Sequence, residues 1–361
     1  KDGILFKMRR TQDLPDKESA TMFFQDCKLA HQAQITGISH SVKEILPPDL
    51  LDLTQLQKEA NIRYGYTASE VYDIAQSLYE KKLISYPRTS SRYLTEDVFD
   101  SLSPIMARLL SWELFPAAKG TGGIDISSLS RHVISAEKAN VHHAIIITGI
   151  RPGNMSEKEM QVYRLVAGRM LEAFMAPCRI ETTNVEAVCA AQHFKVEQTR
   201  IIEAGWHDVF MCSDMIPTSG YSVKELPKME KGDTLNVCGC NMVHKKQLPV
   251  NPFTDAELVE YMEQNGLGTV SSRTNIIRTL VNRKYIRYSG KYIVPTPKGM
   301  FTYETIRGKK IADTSLTADW EKQLAGLESG MITGQDFLNR IRTLAKEMTD
   351  DIFNTYSTKE E

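Results

Sequence analysis

Leu83-Ile84-Ser85-Tyr86-Pro87-Arg88-Thr89-Ser90-Ser91-Arg92-Tyr93-Leu94 is the stretch on which the reading of this chain turns. Tyr86 precedes a proline, which pushes its backbone toward extended geometry and presents the ring in a fixed direction. Arg88 stands two residues on, and in an extended segment residues i and i+2 share a face. A phenol with an unperturbed pKa of about 10 attacks poorly by itself. A guanidinium beside it, always charged and able to bind phosphate through two N–H groups, can stabilise both the developing phenolate and a pentavalent phosphorus. The pair therefore suits attack on a phosphodiester, although a tyrosine beside an arginine on an ordinary surface segment has the same spelling.

Working outward, the stretch follows a helix after the basic turn Lys81-Lys82. Thr67 and Glu70 have capping-box spacing, and Val71, Ile74, Ala75, Leu78 and Tyr79 form one apolar stripe behind them. Thr54 with Gln57 predicts an earlier helix start, and Ser156 with Glu159 a later one whose buried face is Met160, Tyr163, Val166, Ala167, Met170 and Phe174. On either side lies strand character: Ile4 to about Ser41 before Pro47-Pro48, and β-branched Glu181 to about Val243 after the helices. That pattern is expected of a helical domain inserted into a β domain that the chain leaves and rejoins. From Asn251, a helix opening at Thr254, a turn at Gly266 to Gly268, a second helix from Ser271 to Arg283 and the run Tyr292-Ile-Val-Pro-Thr-Pro resemble a winged-helix module. The expected fold class is multidomain α+β, divided at 1–48, 49–176, 177–250 and 251–361.

The 361 residues are 42% hydrophobic and 25% charged, which excludes a disordered or fibrous chain. No apolar run approaches the roughly 20 residues of a membrane span, so no membrane partner is expected. With 44 Lys and Arg against 45 Asp and Glu, the net charge is −1, and a polyanion must be met by a local patch. One exists: Gln264 to Ala312 holds ten Lys and Arg against a single acid, Glu304. On the helix after Gly268 the apolar face reads as Ile276, Ile277, Leu280 and Val281, which sends Arg273 and Arg278 outward. Gly268, Thr269, Ser271 and Ser272 would offer amides and hydroxyls to a nucleic-acid backbone, although a solvated charged face has the same composition. Six scattered cysteines, with Cys238-Gly-Cys240 the only close pair, fit neither a disulfide scaffold nor a zinc site and point to a reducing cytoplasm. The chain opens at Lys1 without an initiator Met, and a fragment of something longer is expected.

Ile84-Ser-Tyr-Pro-Arg-Thr-Ser-Ser-Arg-Tyr-Leu94 resembles the active-site tyrosine motif of type IA DNA topoisomerases, most of all the bacterial topoisomerase III branch. Asp52-Leu-Thr-Gln-Leu-Gln-Lys-Glu-Ala-Asn-Ile-Arg-Tyr-Gly-Tyr-Thr-Ala68, Ala75-Gln-Ser-Leu-Tyr-Glu80, His142-His-Ala-Ile-Ile146, Asn265-Gly-Leu-Gly-Thr-Val-Ser-Ser-Arg273 and Pro295-Thr-Pro-Lys-Gly299 resemble family segments in family order. Leu316-Thr-Ala-Asp-Trp-Glu321 is a weaker match. The resemblance implies a toroidal fold with a β-rich arch, an inserted helical domain bearing Tyr86 and a winged-helix-like groove domain. It implies that Tyr86 cleaves single-stranded DNA through a 5′-phosphotyrosyl bond, followed by strand passage and religation. Arg88 would hold the scissile phosphate and His142 would contact phosphate nearby. His143, Arg92, Arg273, Arg278 and the residues Gly268, Thr269, Ser271 and Ser272 would make further DNA contacts.

Ser90 stands where the family commonly has an acid, and Ile147 where it commonly has proline. In the family Mg²⁺ is held by acidic residues of an N-terminal Toprim domain, including an Asp-x-Asp-x-Glu run that occurs nowhere in these residues. The expectation is a monomer without a Toprim domain or a metal site of its own, binding single-stranded DNA with little or no turnover while the intact enzyme uses Mg²⁺. The rival readings are a non-catalytic nucleic-acid-binding module and a family member directed at RNA.

Overall fold

The computed structural model describes residues 3–112, 114–115, 131–139, 142–210, 225–243 and 251–357. In chain order its main elements are β1 (Arg9–Arg10), α1 (Lys17–Leu29), β2 (Gln32–Ile45), α2 (Leu53–Tyr64), α3 (Ala68–Glu80), α4 (Glu96–Asp100), α5 (Leu102–Ser111), α6 (Ala136–Ala139), α7 (Glu157–Phe174), β3 (Cys178–Cys189), β4 (Gln192–Glu203), β5 (Thr234–Asn236), α8 (Asp255–Gln264), α9 (Val270–Asn282), β6 (Ile286–Ser289), β7 (Tyr292–Pro295), α10 (Pro297–Ile306), α11 (Thr314–Glu328) and α12 (Gly334–Ser357). They divide into two compact units, one drawn from 1–48, 110–130 and 171–249, the other from 49–109, 131–170 and 250–361.

The first unit is built on a five-stranded antiparallel sheet of order β1-β4-β3-β2-β5. β2 and β3 run in register from Gln34 opposite Val188 to Ile45 opposite Cys178, with one irregularity between Ile35 and Gly37. A strand before the helical segment thus pairs with the strand after it. Alternate side chains point inward, so Ala33, Ile35, Val185, Cys189, Val196 and Leu235 share a core with Cys27 of α1. The strand reading of Ile4 to Ser41 is corrected at α1. Asp16 accepts the Ser19 amide at 2.7 Å and starts a helix there. Only Cys27 of α1 is fully buried, so its apolar stripe is too thin to announce a helical period.

In the second unit the Thr67–Glu70 capping box forms as its spacing predicts and opens α3, and α8 opens at Thr254 as read, where the structure adds a capping box with Glu257. Asp52, not Thr54, caps α2, because its Oδ1 accepts the Gln55 amide at 2.7 Å. Thr54 and Gln57 are consequently buried, and the Gln57 amide group donates to the Ala68 carbonyl and to Thr274 Oγ1, each at 2.9 Å. Ser156 and Glu159 do exchange hydrogen bonds at the start of α7, which is buried around most of its circumference rather than along one face: Val162, Tyr163, Leu165, Val166, Ala167 and Met170 are all inside. α8, the turn to Gly268, α9 and the β6–β7 hairpin succeed one another as read, around a core of Ala68, Val259, Met262, Ile277 and Ile293.

Candidate active site

α3 ends where Lys82 adopts a left-handed φ of 60° and the Leu83 amide turns back to the Leu78 carbonyl at 2.9 Å. The chain then runs extended beside residues 144–148. The Ser85 amide donates to the Ile146 carbonyl at 2.8 Å, the Ile146 amide to Ser85 Oγ at 2.9 Å, and Ile84 pairs with Ile147. Leu83, Ile84 and Pro87 are buried, leaving Tyr86 and Arg88 half-buried between anchored neighbours.

The Tyr86 ring lies between two others: His142 at a centroid distance of 4.5 Å and 44°, and Tyr79 at 5.4 Å and 76°. Its hydroxyl has no hydrogen-bond partner among the described residues. Arg88 packs 5.1 Å over the ring of Tyr72 and donates a long 3.3 Å bond to Gln76 Oε1. Its Nε–H is buried and has no acceptor. Tyr72, Gln76 and Tyr79 follow one another at i, i+4 and i+7 on α3, so one face of that helix positions both the nucleophile candidate and its cation. Sequence reasoning placed Tyr79 in the buried stripe, yet it is 39% exposed and touches Tyr86 instead.

Thr89 holds this arrangement from behind. Its Oγ1 donates to the His142 carbonyl at 2.9 Å, and its own carbonyl accepts the Leu53 amide at 3.1 Å. Arg92 reaches back to Asp52, Nε to Oδ2 at 2.6 Å. Burial pushes the Asp52 carboxyl up, against the opposing pull of the Gln55 amide and Arg92. His143 is half-buried with Nδ1 2.7 Å from the Ala144 carbonyl, while His142 is exposed.

The expectation that Arg273 points outward needs correction, whereas Arg278 does lie at the surface, its side chain 38% exposed. α9 begins at Val270, which puts Arg273, Thr274 and Ile277 on the inner stripe and leaves Ile276 38% exposed. Arg273 is only 8% exposed, with Nη1 3.2 Å from Glu263 Oε1 and an Nε–H without an acceptor. Arg278 lies 2.9 and 2.8 Å from the two oxygens of Asp73 and also donates to Ser69 Oγ. Arg92, Arg273 and Arg278 are therefore each answered by a carboxylate of the same unit. Gly268 takes a φ of 70°, and a side chain there would meet Ser272 Oγ at 2.8 Å. Thr269 and Ser272 close on each other, amide to Oγ at 2.8 Å, and Ser271 Oγ lies 3.2 Å from Thr269 Oγ1.

Among the described residues no group of three or more His, Cys, Asp or Glu side chains is placed to hold a metal ion. Asp52 and Glu159 are already committed, to Arg92 and Lys81 respectively. These residues do not fit a Mg²⁺ centre.

A family model described as DNA topoisomerase matches residues 3–339. The chain is 31% identical over 344 residues to DNA topoisomerase 3 of Bacillus licheniformis, a match that covers 89% of this chain and 47% of that protein. It is 30% identical to DNA topoisomerase 3 of Shouchella clausii, over 98% of this chain and 51% of the relative. The chain thus spans about half the length of the curated relatives it matches. Among solved structures, full-length topoisomerase I from Thermotoga maritima superposes with a TM-score of 0.73 at 22% identity, covering 95% of this chain and 57% of that one, and so shares its fold. With a family match that takes in nearly the whole chain, and a tyrosine segment packed as described, this protein belongs to the type IA DNA topoisomerases and is topoisomerase III-like.

Proposed function

We propose that this chain carries the cleavage-religation tyrosine of a type IA topoisomerase acting on single-stranded DNA. Tyr86 Oη attacks the phosphorus, the bond to the 3′-oxygen breaks, and a 5′-phosphotyrosyl link and a free 3′-hydroxyl result. After passage of another strand through the gap, the 3′-hydroxyl attacks the same phosphorus and releases the phenol. The observation that carries this reading is the half-buried Tyr86 stacked on His142, with Arg88 nearby holding an Nε–H that has no acceptor. The Arg88 guanidinium, held by the Tyr72 ring and a long 3.3 Å bond to Gln76, can turn to give two N–H groups to a non-bridging phosphate oxygen, where charge grows in the transition state. His142, exposed and in ring contact with Tyr86, is assigned to phosphate contact. Gly268, Thr269, Ser271 and Ser272, with His143, Arg92, Arg273 and Arg278, are assigned to the strand's approach; their mutual bonds mean that binding DNA exchanges internal partners for phosphate.

In this reading the sheet unit is the arch, the segment 49–176 carries the tyrosine, and 251–361 lines the groove. Mg²⁺, which the family resemblance assigns to Toprim carboxylates, enters no step derived for these residues. A cytoplasmic, monomeric protein is the setting, and no described helix is long and apolar enough to cross a membrane.

The test is covalent capture. The chain, alone and joined to a Toprim segment, is incubated with a 3′-end-labelled single-stranded oligonucleotide and denatured. A labelled adduct is expected with the joined protein and none with Tyr86→Phe. An adduct that survives in Tyr86→Phe removes Tyr86 as nucleophile, and a parallel RNA oligonucleotide reads out the preferred sugar.

A further inference from the structure

Most of the cations between Gln264 and Ala312 are answered within the protein. Arg273 meets Glu263 at 3.2 Å, Arg278 meets Asp73 at 2.8 Å, Arg307 meets Glu304 at 3.5 Å, Lys309 meets Asp351 at 3.1 Å and Lys310 meets Glu347 at 2.6 Å. The Glu257 carboxyl is held below its usual range by the Thr254 amide and hydroxyl, with Lys291 adding to the effect. What remains is Arg283, Lys284, Arg287 and Lys298, all exposed and with no carboxylate in ion-pair reach among the described residues. In a chain of net charge −1 with 45 acids, four cations at one corner without an acid partner among the described residues are a local excess.

The corner is rigidly made. The Thr296 amide donates to the Tyr285 carbonyl at 3.0 Å, extending the β6–β7 ladder by a residue, so Tyr285 and Arg287 share a face of that strand. The Lys298 ammonium sits 4.6 Å over the Tyr285 ring and donates to the Arg283 carbonyl at 2.8 Å, where α9 ends. Two of its three hydrogens stay free. Phe301 follows three residues later on the same face of α10 and is 75% exposed. An apolar ring held in water beside unpaired cations has the composition of a stacking platform with a phosphate grip.

We propose that Lys284, Arg287, Lys298 and Phe301 form a second nucleic-acid surface, off the Gly268–Arg278 segment, which takes single-stranded nucleic acid with phosphates on the cations and a base on Phe301. This rests on the nucleic-acid reading above and adds a contact to it. Single strands are the substrate because a duplex keeps its base faces stacked on one another and has none to give Phe301.

The experiment is fluorescence anisotropy of a labelled single strand and of the matching duplex, titrated with the purified chain across about 50 to 200 mM salt. Combined Lys284→Gln, Arg287→Gln and Lys298→Gln should lower the slope of log affinity against log salt by about 2 for single strands. Phe301→Ala should weaken single-strand binding about tenfold, leaving the slope and the duplex affinity unchanged. Lys322→Gln, at an exposed lysine near Asp319, is the control for charge alone. The proposal is overturned if the triple variant matches that control, or if Phe301→Ala weakens single strand and duplex equally. Covalent capture is read on the joined protein and binding on these variants, so failure of the tyrosine reading and failure of this surface are separate results.

Discussion

Arg88 and Tyr163 each hold a buried polar group with no partner, but in different settings. Tyr163 is wholly enclosed on α7, and burial pushes its phenol well above the usual range. Its hydroxyl has lost water and gained nothing, so Tyr163→Phe should be neutral or stabilising by up to about 1 kcal/mol in urea melts. Arg88 is half-buried two residues after Tyr86, and only the Tyr72 ring and a long bond to Gln76 hold its guanidinium, which leaves it loosely committed. Arg88→Lys keeps the charge but loses the planar pair of donors, and should cut adduct formation in the joined protein by about 10²-fold or more while leaving the melting curve nearly unchanged. Glu159 behind them is a structural anion. The Lys81 ammonium first, then the Ser156 amide and the Ser77 hydroxyl, hold its carboxyl down at about 2, against an ordinary value of 4.5. A depressed carboxyl stabilises the fold above its unfolded value and ceases to as pH falls through the folded one. Glu159→Gln should therefore cost about 2 kcal/mol at neutral pH, with the gap to wild type closing between pH 4.5 and about 2 in acid unfolding.

At the scale of elements, the close approach of α10 to the hairpin makes a sharp demand. A Cβ on Gly299 would lie 2.0 Å from the Tyr285 carbonyl oxygen, a backbone atom that cannot swing aside. Gly299→Ala should lower stability by about 1–3 kcal/mol or more by calorimetry, whereas Thr67→Ala, which only removes a cap, should cost about 1 kcal/mol. Elements that declare themselves locally were legible in the sequence: the Thr67 box, the helix start at Thr254, the β-branched strands β3 and β4, and the helix-turn-helix-hairpin order after Asn251. Elements fixed by tertiary partners were not. α1 hides because one buried cysteine makes no period, and α2 starts at Asp52 because that carboxylate is also needed by Arg92. The candidate site followed the same division. Tyr86, Arg88 and His142 could be named from their segments, but Tyr72, Gln76 and Tyr79 looked like ordinary helix residues, since only the fold brings α3 against the tyrosine strand. Arg273 read as outward because its apolar neighbours were assigned one position out of phase, and an arginine does not announce that Glu263 awaits it inside.

For the molecule as a whole, a net charge of −1 gives no long-range attraction to a polyanion, so nucleic acid must be held by short-range contact. The chain alone should bind single-stranded DNA with a steep salt dependence and fail to relax supercoiled plasmid with or without Mg²⁺; robust relaxation by the purified chain would place a metal site within these residues. The sheet carries a further consequence. Because Ile45 faces Cys178 directly, the 132 residues between them enter and leave through neighbouring points of a single ladder. Along the ladder itself, that length is an insertion between two directly paired strands. A version in which a few glycines join β2 to β3 should keep the strand order, and a different insert at the same doorway should leave the ladder's register unchanged.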